Sequence, residues 1–432
     1  MDFKSVLAKA ENLAKPTRDE EKFVKEKSLW FVNRLSNVCK GLKAKVVVGG
    51  SFAKGTWLRG AKDVDVYVCF DYNKFKDKSD KLSDLLEKRV KRAFRNYERL
   101  HGSRDYFRVK RDDLIFEIIP ILAIRNVDEA VNITDVSLFH VKWVKSKIKR
   151  NRKLADQIRL VKLFCKANGV YGAESYIRGF SGYACEILTI QSGGFLDLLR
   201  NAKNWFGKKK ILLDPAKHYK NRNEILKSIN VAKLQSRLVI VDPVQKDRNV
   251  TAALSDEKFR LFVLAARKFL KKPSLDFFVE RRFELNNLKV LANKKNLYLI
   301  IAKIIPFDGK EDVVGSKLLK AFEYLCMNLV EYGFKLKGKG WWWDKAKEAY
   351  FWFMFKEVPL PKEKKLAGPP IRMKREVENF RRAHKRAKFF IKGGRIYAVV
   401  KRPFVKPEQL LAKLSKKEWI KKKVKDFSIL KI

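Results

Sequence analysis

The stretch Val46-Val47-Val48-Gly49-Gly50-Ser51, separated by eleven residues from Asp63-Val64-Asp65-Val66, decides how this chain is read. Three successive valines predict a short buried strand, and Gly49-Gly50-Ser51 a tight turn after it. A second strand is expected over Val64 to Phe70. Positions i and i+2 of a strand share a face, so Asp63 and Asp65 present their carboxylates side by side while Val64, Val66 and Val68 bury the other face. Two adjacent carboxylates repel, and a divalent cation relieves the repulsion by taking both as oxygen ligands.

Working outward, Gly49 and Gly50 permit close approach of backbone to an anion. Ser51 adds an amide and a hydroxyl at the start of a short helical segment expected over Phe52 to Leu58. Lys54, one turn along, puts a cation beside the same phosphates. A third carboxylate is expected from a neighbouring strand. Arg108 to Lys110, a turn at Arg111 to Asp113 and Leu114 to Ile119 read as a hairpin closed by Pro120. Glu117 is the only charge in its second, apolar arm. A buried carboxylate needs a partner, and a metal ion supplies one; Asp112 and Asp113 compete for the role, but they fall in the turn, where Asp is common.

The rest of the chain sets the frame. At 432 residues it exceeds one ordinary domain of about 100 to 200 residues. With 46% hydrophobic residues, including 31 Phe, 13 Tyr and 9 Trp, it can fill several cores. Lys and Arg number 98 against 48 Asp and Glu, a net charge of +50, which excludes purely cationic partners and suits a polyanion. No run reaches the roughly 20 apolar residues of a membrane span, and Met1 to Ser28 lacks the apolar core of a signal peptide, so no membrane partner and a cytoplasmic location are expected. Five scattered cysteines without a C-x-x-C pair, and four histidines, argue against disulfides and structural zinc.

The expected fold class is a multidomain α+β protein: a small mixed-sheet palm, a helical central domain, and an α/β C-terminal region with a basic tail. Residues 1 to 40 and 80 to 100 read as helix. From about 140 the chain turns helical, and Leu154, Ile158, Val161 and Cys165 form one apolar stripe ending at Asn168-Gly169, with Arg159, Lys162 and Lys166 as a cationic stripe beside it. Ser181 caps a helix to about Gln191, and Leu238 to Val241 is a strand closed by Asp242-Pro243. Leu297 to Ile305 is a strand ending at Pro306. These shifts set boundaries at 1–140, 141–275, 276–360 and 361–432. The last segment holds 24 Lys and Arg against 6 Asp and Glu, an excess of 18. Within it Met373, Val377, Phe380, His384 and Ala387 keep helical spacing, while Arg375, Arg381, Arg382, Lys385 and Arg386 cover the other faces.

Together, Gly-Ser, D-x-D and a later carboxylate resemble the nucleotidyltransferases of the polymerase-beta type. Phe139-His140-Val141-Lys142-Trp143, Arg159 to Lys162, Asn168 to Glu174, Arg178-Gly179-Phe180-Ser181-Gly182-Tyr183, Val241 to Val244 and Arg248-Asn249-Val250 narrow the resemblance to the archaeal class I CCA-adding enzymes. It is close from about 45 to 275 and weaker beyond, where Gly368-Pro369-Pro370 and the helix around Val377 to Arg382 still match.

The resemblance implies template-independent addition of C, C and A to the tRNA 3′ end from CTP and ATP, with two Mg²⁺ ions and release of pyrophosphate. It assigns Asp63, Asp65 and Glu117 as catalytic metal ligands, Ser51 and Lys54 as triphosphate contacts, and His140, Lys162 and Tyr171 as further nucleotide contacts. Lys54 stands where an Arg is familiar and Glu117 where an Asp is familiar, a loss of bidentate geometry and a gain of one methylene of reach. Asp242, Arg248 and Asn249 either line the base side of the pocket or serve the turn. Arg381, Arg382, Lys385 and Arg386 are expected on the acceptor arm of tRNA. Two other readings compete: a poly(A)-type terminal nucleotidyltransferase, and an inactive basic RNA-binding protein. The oligomeric state is left open, a homodimer included, as is the part played by Trp341-Trp342-Trp343.

Overall fold

A computed structural model describes residues 2–430. The chain divides into two compact units, one ending at Arg281 and the other beginning at Arg282. It is a mixed α and β architecture, as expected.

The first unit opens with helices α1 (Phe3–Ala14) and α2 (Arg18–Cys39) rather than one continuous helix. Pro16 has no N–H to continue α1 and disfavours helical backbone at Lys15. Thr17 then starts α2 with a capping box, its hydroxyl accepting from the Glu20 amide at 3.1 Å while the Glu20 carboxylate accepts from the Thr17 amide at 2.7 Å. Five strands follow: β1 (Ala44–Val48), β2 (Asp63–Asp71), β3 (Glu98–Leu100), β4 (Tyr106–Arg111) and β5 (Leu114–Ala123). They assemble in the order β1-β2-β5-β4-β3, with β2 and β5 parallel and every other pair antiparallel.

Between them lie α3 (Gly50–Lys54) and α4 (Leu82–Ala93). One face of the sheet carries Val64, Val66, Val68, Phe116 and Ile118, all buried under α2 and α4, with Phe31 stacked at 3.9 Å on Phe116 and 4.5 Å on Phe94. The helix expected over 80 to 100 stops at Ala93, because Glu98 to Leu100 are drawn out as an edge strand against Tyr106 to Arg108.

Pro120 does not close its strand. β5 runs on to Ala123 because β4 has already ended opposite Ile118, so the missing N–H of Pro120 faces no ladder. The buried Arg104 donates to the Pro120 carbonyl at 3.1 Å, and Asp135 accepts from the Leu122 amide at 2.8 Å, which closes that edge with side chains.

The helices α5 (Ser137–Arg150), α6 (Leu154–Ala167), α7 (Gly182–Ser192), α8 (Phe195–Lys203) and α9 (Asp256–Lys271) build a second core in the same unit. Phe164 lies at its centre, 5.6 to 6.2 Å from Phe195, Phe262, Phe269 and Phe278. Leu154, Ile158, Val161 and Cys165 are all buried, as their spacing predicts, Val161 and Cys165 within this core. Val6 and Ala10 of α1 join this core and not that of the sheet. Ser181 caps α7 by accepting from the Ala184 amide at 3.0 Å. A two-stranded parallel ladder, β6 (Ile211–Leu213) with β7 (Leu238–Ile240), leads into Asp242-Pro243. All five cysteines are buried, and among the described residues no disulfide joins them.

The second unit has an antiparallel sheet ordered β14-β8-β10-β9, made of β8 (Tyr298–Ile305), β9 (Leu336–Trp343), β10 (Ala349–Phe355) and β14 (Asp426–Ile429). Helices α10 (Glu311–Tyr332) and α12 (Pro407–Ser415) share its core, which holds Leu318, Leu325, Phe351, Phe353 and Leu411. The segment 361–432 therefore has no separate core at its end, since its last helix and strand pack with 298–355. Strand alternation divides the tryptophans: Trp341 and Trp343 pack on that core, while Trp342 on the opposite face stacks at 4.7 Å on Phe283.

A second sheet, β11-β13-β12, consists of β11 (Glu363–Pro370), β12 (Lys388–Lys392) and β13 (Arg395–Lys401), with helix α11 (Lys374–Ala383) packed on it through Phe380, which lies against Gly368. The helical spacing of Met373 to Ala387 overshoots. The helix ends at Ala383 because the chain must turn to enter β12, so Lys385 and Arg386 sit in the turn. Among the described residues no helix is long and apolar enough to cross a membrane.

Candidate active site

The polar face of the five-stranded sheet begins at the N-terminal end of β2. Asp63 is exposed and Asp65 half-buried, and further along the same face Tyr67, Cys69 and Ile121 are buried under Leu138. The parallel register sets Asp65 opposite Glu117 and Asp63 opposite Ile115. Gly49 and Gly50 run beside this face. The Gly49 amide donates to the Asp65 carbonyl at 2.8 Å, and a Cβ on Gly50, whose φ is +54°, would lie 1.6 Å from Asp65 Oδ2. Only glycine lets the turn come this close. The helix it opens is shorter than Phe52 to Leu58 and starts earlier: α3 spans Gly50 to Lys54 and ends at Gly55 with φ +67°. Ser51 lies in its first turn.

Burial, and then the negative charge of Glu117, lift the Asp65 carboxyl to about 6, with Lys54 near enough to oppose the rise. Asp63 and Asp65 form no ion pair among the described residues. Glu117 does: its Oε1 accepts from Arg108 Nη2 at 2.8 Å, across the register that pairs the two residues on β4 and β5. Among the described residues no three His, Cys, Asp or Glu side chains gather as an ion-binding group. Asp63 and Asp65 fit a hard divalent cation as exposed or half-buried oxygen donors crowded by like charge, and Glu117 stands in register with Asp65 while its carboxylate is held by Arg108.

Against the segment Lys54 to Trp57, α6 carries the cationic stripe and α7 carries Glu186. In that stripe Arg159 and Lys162 are buried and Lys166 is exposed, 3.5 Å from Glu280. Arg159 Nε donates to the Trp57 carbonyl at 3.0 Å and Nη2 to the Gly55 carbonyl at 2.7 Å. Lys162 Nζ donates to the Thr56 carbonyl at 3.1 Å, to Thr56 Oγ1 at 3.1 Å and to Glu186 Oε1 at 2.8 Å. Lys54 Nζ donates to Glu186 Oε2 at 2.6 Å, and Thr56 Oγ1 to Glu186 Oε1 at 2.6 Å. Glu186 is fully buried; burial opposes its ionisation, but Lys162 and Lys54 outweigh it and hold the carboxyl near about 2. Burial pushes Lys162 below the usual ammonium range, against the pull of Glu186. Tyr171 meets this group at Gly182, where an added Cβ would lie 2.9 Å from the phenol oxygen and 3.7 Å from Lys162 Nζ.

A second polar cluster lies beside the first. Asp242, fully buried, is 3.1 Å from His140 Nε2 and accepts from Arg248 Nη1 at 2.6 Å, Tyr183 Oη at 3.1 Å and the Val244 amide at 2.9 Å. Burial opposes its charge, but the hydrogen bond from His140 and the charges of His140 and Arg248 bring the carboxyl down to about 2. The Tyr183 ring links the clusters, 4.4 Å from the His140 ring and 5.7 Å from Lys54 Nζ. Asn249 takes no part: its amide is engaged by the backbone of Ile240, Thr251 and Lys233.

The structure therefore sets Lys54, Asp63 and Glu117 around Asp65 on one side, with Ser51 in the adjoining turn but without gathering the three carboxylates as an ion-binding group, and Lys162, Tyr171, His140 and Arg248 on the other. Glu186, Thr56 and Tyr183 were not singled out in the sequence. The signal for Glu186 was present: it is the one charge in the apolar run Ala184 to Ile190, the same mark that singled out Glu117. Arg381, Arg382, Lys385 and Arg386 are all exposed, with Arg381 over the Phe389 ring at 5.3 Å and Arg382 3.6 Å from Glu378.

Comparison with known proteins places the chain in a family. Residues 31–125 match the nucleotidyltransferase domain family, 156–279 the second domain of tRNA nucleotidyltransferase, and 303–429 the C-terminal domain of CCA-adding enzyme. The chain is similar in fold to the Cid1 poly(U) polymerase, with a TM-score of 0.51 at 15% identity over 65% of this chain and 99% of that one. It is 28% identical over 411 residues to the CCA-adding enzyme of Methanocaldococcus jannaschii, covering 94% of this chain and 89% of the relative. Identity rises to 36% over 363 residues with the CCA-adding enzyme of Nanoarchaeum equitans, spanning 83% of this chain and 84% of that protein, and with three successive domain matches the chain belongs to the CCA-adding enzyme family.

Proposed function

We propose that this chain adds C, C and A to the 3′ end of tRNA without a nucleic-acid template, using CTP and ATP at the cleft between the five-stranded sheet and helices α6 and α7. The observation that carries this reading is the register of Asp65 against Glu117 beside the Gly50-Ser51 turn, with Lys54 held beside Asp65 by Glu186 and Lys162 bonded behind it. Mg²⁺ ions held there would lower the pKa of the tRNA 3′-hydroxyl and neutralise the triphosphate and its pyrophosphate leaving group.

The chain's own residues divide the remaining work. Asp63 and Asp65 would hold the metal, with Glu117, now bonded to Arg108, as the third oxygen donor. The Ser51 amide and hydroxyl and the Lys54 ammonium take the phosphates. Tyr171 and Lys162 border the same space, and His140 and Arg248, fixed by Asp242, present ring and guanidinium edges to the nucleotide. Residues 1–140 act as the catalytic domain, 141–275 as the nucleotide-binding domain, 276–360 as a body, and the basic segment 361–432 grips the tRNA acceptor arm. The test is incubation of a tRNA lacking its 3′ CCA with each nucleoside triphosphate. CTP alone should add two residues and CTP with ATP three. Long A tracts from ATP alone would move the chain to the poly(A)-type class, and no incorporation with Mg²⁺ would make it an inactive RNA binder.

A further inference from the structure

We propose that Glu186 is a positioning residue for the triphosphate, acting through Lys54 and Lys162, an inference that rests on the nucleotide-binding reading above. Its carboxylate joins three elements: Lys54 at the end of α3, Thr56 in the loop after it, and Lys162 on α6, while Glu186 itself lies on α7.

Donor counting separates the two lysines. An ammonium has three N–H groups. All three of Lys162 are engaged, on Thr56 O, Thr56 Oγ1 and Glu186 Oε1. Lys54 has one hydrogen bond, to Glu186 Oε2, and two donors remain. It also lies above the Tyr183 ring and beside the sheet face that carries Asp65. Glu186 thus holds Lys54 by one bond with its remaining donors available, and holds the fully bonded Lys162 behind it.

The charges argue the same way. Two ammonium groups and one carboxylate leave the buried group at +1. Fold stability alone gives little reason for such a group, since apolar side chains of similar volume usually serve a core as well as a buried ion pair. A cation fixed at the wall of a cleft is what apolar packing cannot provide. Removing the carboxylate frees the two ammonium groups to repel each other, and both leave their places.

The experiment compares the full chain with its Glu186→Gln, Glu186→Asp and Thr56→Val variants, using inorganic tripolyphosphate as a competitor of CTP and cytidine as a ligand without phosphates. Thermal unfolding is followed in parallel. Glu186→Gln should raise the tripolyphosphate inhibition constant, and the KM for CTP and ATP alike, by about tenfold, the scale of one charge-assisted hydrogen bond. Cytidine binding and the KM for tRNA should stay unchanged, and Glu186→Asp should recover part of the loss.

A Glu186→Gln variant that is less stable but binds tripolyphosphate as the parent does would overturn the proposal and leave Glu186 a structural brace. If that variant does not fold, Thr56→Val decides. It removes the hydroxyl that donates to the same carboxylate and accepts from Lys162, so its inhibition constant should rise at least two- to threefold, and no change overturns the proposal. Tripolyphosphate that fails to compete even with the parent chain would instead sink the nucleotide-binding reading itself.

Discussion

The Asp65 carboxylate occupies the space that a side chain at Gly50 would need, with Oδ2 1.6 Å from the position of a Cβ there. The turn and the D-x-D strand are therefore one device, since the glycine permits the carboxylate to stand beside the turn. Gly50→Ala meets both a clash and a φ of +54°. We expect a loss of about 1 to 2 kcal/mol in stability from the backbone alone, and loss of nucleotide addition beyond it, checked by denaturant unfolding and by incorporation of labelled CTP.

Asp65→Ala should abolish addition of both C and A while tRNA affinity stays nearly intact, because it removes a ligand for the reaction and no RNA contact. Filter binding beside single-turnover assays checks this, and retained addition would end the metal-site assignment. Glu117→Asp should slow turnover, since the arm shortened by one methylene reaches less far towards the Asp65 carboxylate set opposite it.

Lys162→Ala should weaken CTP and ATP to the same extent, because phosphates carry no base identity. It also leaves Glu186 with one cation fewer in a buried site, a change of about 3 kcal/mol or more in stability. Nucleotide titrations and thermal unfolding report the two effects separately. A loss confined to one nucleotide would move Lys162 to the base pocket.

Acid should act in two windows. The Asp65 carboxyl, raised to about 6 by burial and by Glu117, takes up a proton as pH falls through that value, so divalent cation binding should weaken below about pH 6. Mn²⁺ binding followed by electron paramagnetic resonance checks this, and a pH-independent affinity between 5 and 7 would contradict it. Glu186 and Asp242 are depressed to about 2 in the fold, so the stability they contribute is complete above their unfolded pKa near 4 and is lost as pH falls from about 4 towards 2.

Replacing Arg381, Arg382, Lys385 and Arg386 with Gln should weaken different tRNAs by similar factors. An A-form duplex offers phosphates and 2′-hydroxyls over a shallow groove, which is read by shape. The dependence of log affinity on log salt should flatten by about 0.7 to 0.9 per lost phosphate contact. An unchanged slope would return RNA binding to other basic surface.

By itself the sequence determined what depends on short range. The alternation of Val64, Val66 and Val68 with Asp63 and Asp65 was legible because a strand has a period of two, and the stripe from Leu154 to Cys165 because a helix has one of 3.6. The glycine turn was legible because few residues tolerate its backbone. What only the tertiary structure decided is which groups from distant segments meet. Lys162 was legible only as one member of a cationic stripe, and the fold closed Glu186, 24 positions away, and Thr56, 106 positions away, around it. Pro120 read as a strand end until the early stop of β4 removed the ladder it would have broken. The reach of the helix around Arg381 was set by the edge strand that follows it. In each case local spacing fixes the face a side chain presents, and burial decides what it faces, because the partner of a charge comes from whichever segment the fold brings beside it.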